Sequence, residues 1–182
     1  EIGGSTMEFA SSRYVEALRA DSEVCVFLVN YYYFGGGAHG TYTTEAICFD
    51  ARTGERLTLA DLGPDEAVLK AQLVTEMLAL ASADEDSYFS SHLDLTEAAD
   101  YEAAFGALLR DGSWYPAADG FHVFSDLYEL GSYAAGITEF VIPYEKLSAA
   151  MDARWIPASA ELTAELEFVA SDKAPEGSIE TV

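Results

Sequence analysis

His39 stands near the end of the run YYYFGGGAHG, residues 31–40, and is one of three histidines in 182 residues, with His92 and His122. An imidazole in a glycine loop could belong to a phosphate cradle, a metal site, a catalytic corner or a recognition loop. The phosphate cradle fails on context. A Walker loop needs GK[ST] after its glycines, whereas GGGAHG has no lysine and opens a strand rather than a helix. A dinucleotide fingerprint fails for the same reason. No HxH, HExxH or CxxC spacing exists, so no zinc-ligand set is readable, and no metal or cofactor is expected. The nucleophile elbow GxSxG is absent too, and no catalytic residue is assigned. Three readings stay open: His39 as a base beside Asp126 or Glu129, a recognition loop, or a turn whose glycines only permit close backbone approach. Recognition suits the composition best. Glycines supply positive φ at a projecting tip, and flanking tyrosines make large contacts at low side-chain entropy cost.

The two cysteines, Cys25 and Cys48, lie in the stretches on either side of this loop. A hairpin centred near residue 36 or 37 sets Cys25 directly across from Cys48, close to bridging range. A disulfide there would contribute roughly 3 kcal/mol on the chain-entropy estimate. Two buried thiols acting as small hydrophobes are the alternative, and an oxidising compartment favours the bridge.

These residues need elements to hold them. Residues 13–18 and 23–34 read as strands around Asp21-Ser22, although Tyr14, Val15 and Leu18 also suit a helix. Residues 41–51 are β-branched and aromatic, as in a third strand. Helix signals follow at 65–82, with Leu69, Leu73, Met77 and Leu80 on one stripe, and at 95–110, capped by Asp94 or Thr96 and ended by Gly112. The linker 83–93 is polar. From 113 the period returns to two: SWYP, an Asp119-Gly120 turn, FHVFSD, a loop LYELGSYAAG, the strand ITEFVIPY and a short helix YEKLSAAM. Residues 161–169 alternate as in a half-exposed strand. The expected class is α+β: an antiparallel sheet, two main helices packed on one of its faces, and a short C-terminal helix. The expected division is an N-terminal extension 1–12, a domain 13–169 and a disordered tail 170–182.

Charge bounds the partners without identifying one, since proteome-wide acidity or solubility gives the same balance. The chain carries 32 Asp+Glu against 9 Lys+Arg, a net −23. That field repels nucleic acid and anionic lipid, and raises encounter rates with cationic partners until salt screens it. Half the residues are apolar and 13% aromatic, which excludes a disordered chain. No apolar run approaches the ~18 residues of a membrane span. The start EIGGSTME, without an initiator Met, reads as a trimmed or mature segment.

Two stretches resemble a known family in order and spacing. YYYFGGGAHGTYTTEAICFDARTGERLTLADL and, later, DGFHVFSDLYELGSYAAGITEFVIPYEKL are similar to the extracytoplasmic domain of the lysozyme-sensing anti-sigma factor (RsiV type) of Gram-positive bacteria. That domain also occurs in cell-wall polysaccharide deacetylases and uncharacterised lipoproteins. The likeness covers roughly residues 13–150. It implies an α+β fold, an extracytoplasmic location, a membrane tether outside this chain, and a basic protein such as lysozyme as partner. The matching surface is Gly36, Gly37, Ala38, His39 and Gly40, with Asp126, Leu127, Tyr128 and Glu129, and Tyr133 to Gly136. The family pattern often places proline before its Y-E and YAAG steps. Here Asp126-Leu127 and Gly131-Ser132 stand instead, without proline's fixed φ. The expected function is non-catalytic binding or sensing. The alternative is an accessory saccharide-binding domain of a peptidoglycan-modifying enzyme, stacking sugars on Trp114, Tyr115, Tyr128 and Tyr133.

Overall fold

A computed structural model describes residues 9–83 and 98–158. The expected linker beyond Ala83, the caps Asp94 and Thr96, the strand 161–169 and the tail 170–182 lie outside the described residues. Strands β1 (Ala10–Ala20), β2 (Val24–Phe34) and β3 (Thr41–Asp50) form one antiparallel sheet in that order. Helices α1 (Glu66–Ala83) and α2 (Ala98–Leu108) follow. A second antiparallel sheet comprises β4 (Trp114–Pro116), β5 (Phe121–Phe124) and β6 (Glu139–Ile142), and the short helix α3 (Tyr144–Leu147) follows it in the chain. The α+β class holds, with two small sheets in place of the single one expected.

Local chemistry sets the boundaries. Asp21 closes the β1–β2 turn by accepting from the backbone N–H groups of Glu23 and Val24, both at 2.8 Å. Asp65 caps α1 in the same way, accepting from Ala67 at 2.9 Å and Val68 at 3.2 Å. β1 starts at Ala10, opposite Phe34, ahead of the strand start expected at position 13.

The core lies between the lower half of the first sheet, the second sheet and the helices. Leu69, Leu73 and Met77 of α1 are fully buried in it, with Phe105 and Leu108 of α2. Leu80, expected on the same stripe, is 37% exposed, because the last turn of α1 turns Leu78 and Ala81 toward the core instead. Phe105 packs edge-on against Phe140 at 5.0 Å, which ties α2 to β6.

One irregularity joins the two sheets. A register shift between Ala17 and Arg19 places Arg19 opposite Val26, on the core face, where a regular strand would have aimed it outward. Arg19 is 3% exposed. Its guanidinium donates to the carbonyls of Pro116 at 3.4 Å and Trp155 at 2.8 Å, and pairs with Asp21 at 2.6 Å. A buried charge is tolerable only with such partners.

Candidate functional site

The β2–β3 hairpin projects beyond the core and carries the glycine loop at its tip. Gly36 and Gly37 adopt φ of 91° and 114°, a region that a side chain disfavours. Gly40 answers a different demand. A Cβ there would meet the Tyr32 ring at 2.3 Å, so only glycine lets that ring lie against the backbone. Tyr32 faces Tyr42 across the ladder, with ring centroids 4.8 Å apart. The tip is therefore shaped by aromatic packing as well as by flexible residues.

The second expected loop is braced by a residue that the sequence did not single out. Arg110, just past α2, bonds Asp126 at 2.9 Å and grips Glu129 at 2.6 and 3.0 Å. The Glu129 carboxylate also accepts from the Asp126 backbone N–H at 2.8 Å. Asp126 and Glu129 are thus engaged within the chain, and neither carboxylate orients His39 as a base. Between them, Tyr128 takes φ +66° and is 59% exposed.

The two loops, 89 residues apart, touch. His39 stacks on Tyr133 with centroids 3.7 Å apart and planes inclined by 18°. Tyr128 lies 5.8 Å from Tyr133. The Tyr128 hydroxyl sits 3.3 Å from His39 Nε2, and His39 Nδ1 lies 3.0 Å from the Gly40 carbonyl. A carbonyl can only accept, so Nδ1 carries a proton, and in the neutral ring Nε2 accepts from Tyr128. Burial raises the Tyr133 pKa, and the neighbouring phenols of Tyr42, Tyr32 and Tyr128, charged only once ionised at high pH, push it the same way. His39, Tyr42 and Tyr128 are all exposed. The outcome is one accessible aromatic face built from both loops. Gly36, Gly37, Ala38 and Gly40 shape it, Tyr32 and Tyr42 extend it, and Asp126 and Glu129 hold it from behind.

The cysteines are placed differently from expectation. Val26 opposes Cys48, and Cys25 opposes Phe49, so the hairpin is centred on residue 37 rather than half a residue earlier. One residue of slip changes the face of every side chain. Cys25 and Cys48 therefore point to opposite sides of the sheet, and both are free thiols. Burial pushes the Cys48 thiol up to about 12.

A second ionisable cluster went unread. His122 lies between two carboxylates, Asp119 and Glu139, each at 2.9 Å, and stacks on Tyr115 at 4.6 Å. Tyr115 donates its hydroxyl to Glu139 at 2.7 Å. Burial opposes charge on His122, but the hydrogen bonds to Glu139 and Asp119 outweigh it and raise the imidazole pKa. The bond to His122 lowers both carboxylates. With both ring nitrogens donating, His122 has no lone pair left to act as a base. The cross-strand pair Tyr115↔His122 was the available signal, readable once the Asp119-Gly120 turn is used to set register. Trp114 and Tyr115 are 2% and 7% exposed, so neither offers the sugar-stacking face expected of it.

At the far end of the first sheet, a cavity of about 550 Å³ is lined by Arg19, Asp21, Glu23, Arg52 and Arg154. Its charges pair internally: Arg154 with Asp50 and Glu23 at 2.7 Å, Arg52 with Glu23, and Arg19 with Asp21. Among the described residues no group of three His, Cys, Asp or Glu side chains could hold a metal, and no helix is long and apolar enough to cross a membrane.

Comparison with known proteins gives likenesses without an activity. The model of a family described as a protein of unknown function (DUF3298) matches residues 63–145, which include Arg110 and the second loop but not the histidine tip. A solved DUF3298 family protein from Pseudomonas aeruginosa is 23% identical, with a TM-score of 0.54 over 81% of this chain and 65% of its own. A DUF3298 member from Bacteroides fragilis is 19% identical, with a TM-score of 0.63 over 85% of this chain and 58% of its own. At these identities the likeness is one of fold. The chain spans less than two thirds of the length of either protein. No curated protein matches it.

Proposed function

We propose that this chain is a non-catalytic, extracytoplasmic binding or sensing domain that recognises a cationic protein, such as a lysozyme, through the face formed by His39, Tyr128 and Tyr133. One observation carries this: the stacking of His39 on Tyr133 at 3.7 Å, which makes a single exposed aromatic surface from two distant loops. Tyrosines on a rigid base suit protein recognition, because they offer large contact area with few rotamers to freeze. The net charge of −23 adds steering toward a basic partner. The RsiV-type resemblance supplies lysozyme as the first candidate and an exported location as its setting. A non-catalytic role is favoured because His122 is saturated by carboxylates and the Cys48 thiol is held protonated. The saccharide reading keeps only Tyr128 and Tyr133, since Trp114 and Tyr115 are buried.

Calorimetric titration with a cationic c-type lysozyme at low and moderate salt tests this. Saturable one-to-one binding, weakened by His39→Ala with Tyr128→Ala, is expected. Equal weak binding to any basic protein, indifferent to both substitutions, would leave only charge.

A further inference from the structure

We infer that Arg110 is a positioning residue for this face: by gripping Asp126 and Glu129 at the two ends of one turn, it holds Tyr128 in the left-handed conformation that brings its hydroxyl to His39. The inference rests on the binding face proposed above. Two costly features meet in that turn. Tyr128 is the one non-glycine residue at positive φ among the described residues. A bulky side chain there costs about 1–2 kcal/mol. Asp126 Oδ1 is buried with no hydrogen-bond partner, a second cost. Such features persist only when their surroundings over-determine them, and they concentrate at functional sites.

Arg110 supplies that determination. Its planar fork reaches Asp126 with one nitrogen and both Glu129 oxygens with two, while the Ala107 carbonyl accepts from it at 3.2 Å and fixes its direction. The turn itself contributes a long Glu129 N–H to Asp126 carbonyl bond of 3.3 Å. Proline is absent from it, so the ion pairs do what a fixed φ would otherwise do. Lysine, a point charge without a fork, cannot span both carboxylates. Without Arg110, Tyr128 relaxes toward negative φ and its ring leaves His39. Where loss of Arg110 leaves the presenting conformation at about one part in ten of the population, apparent affinity falls about tenfold, because it scales with the fraction that is competent to bind.

The test uses Arg110→Gln and Arg110→Lys in the chain as it stands. In the free protein, the Tyr128 HN–Hα coupling and the nuclear Overhauser contact between the Tyr128 and His39 rings report the conformation. Affinity for a cationic c-type lysozyme is then measured. In Arg110→Gln the left-handed coupling and the ring contact are lost and affinity falls about tenfold, with Arg110→Lys recovering only part. A Tyr128 that keeps its coupling and its His39 contact without Arg110 overturns the inference. Loss of that contact at unchanged lysozyme affinity upholds the positioning role and sinks the binding face instead. If Arg110→Gln does not fold, Glu129→Gln, which leaves the Arg110–Asp126 pair in place, is read by the same couplings.

Discussion

Tyr128→Gly and Tyr128→Ala should differ in stability with the opposite sign to that seen at an ordinary loop position. Both substitutions remove the ring and its 3.3 Å contact with His39, so their difference isolates the backbone. In a loop residue of ordinary φ, alanine is the more stable by about 0.4–1 kcal/mol, because it restricts the unfolded chain. At φ +66° the Cβ is penalised by about 1–2 kcal/mol, which exceeds that gain. Glycine should therefore win by roughly 0.5–1 kcal/mol, or a few degrees in Tm for a domain of this size. Urea unfolding of the two variants at matched m-values measures this, and both should bind lysozyme weakly because the ring is gone. An alanine variant as stable as the glycine variant, or more so, would show that Tyr128 is not held left-handed in solution.

The His122 network makes a pH prediction. A raised histidine contributes stability that is present below its unfolded pKa and lost as pH rises through the folded one. The lowered Asp119 and Glu139 contribute above their unfolded values and lose it as pH falls through the folded ones. The network's contribution is therefore greatest between the ordinary carboxylate value of 4.5 and the ordinary histidine value of 6.5. His122→Gln should cost about 1–2 kcal/mol in that window, moderated by the 70% and 44% exposure of its two carboxylates, and should flatten both limbs of the Tm–pH curve; an unchanged curve would refute it. The thiols make another. At pH 8 a Cys48 of pKa about 12 is thiolate in roughly one part in ten thousand, so native labelling should modify the half-exposed Cys25 and reach Cys48 only on unfolding. Label uptake at neither thiol until a reductant is added would mean that they are bridged.

Strand and helix placement was legible because it rests on local periodicity. The run Leu69, Leu73, Met77 and the β-branched residues of β3 declare their elements without tertiary help. Register was less legible. Local pattern confines the hairpin centre only to residue 36 or 37, and the half-residue that sets Val26, rather than Cys25, opposite Cys48 separates paired cysteines from cysteines on opposite faces. Arg19 illustrates the same parity problem, since only the bulge beside it turns it inward. The glycine–histidine tip and the Tyr128–Tyr133 segment stood out by composition. Their mutual contact depends on how the projecting hairpin meets the second sheet, which no local pattern encodes. Arg110 was illegible for a related reason. Its partners lie 16 and 19 residues along the chain, across a strand pair, and one arginine after a helix carries no motif. The Asp119–His122–Glu139 cluster similarly takes its members from a turn and two strands.

Hydrogen-exchange mapping of the chain with and without saturating cationic c-type lysozyme tests the shared face most directly. Protection should appear together in the segments around His39 and around Tyr128 to Tyr133, and leave the Asp21–Glu23 turn at the opposite end of the sheet unchanged. Protection confined to one of the two segments, centred on that far turn, or absent at saturation would contradict a single recognition surface assembled from both loops.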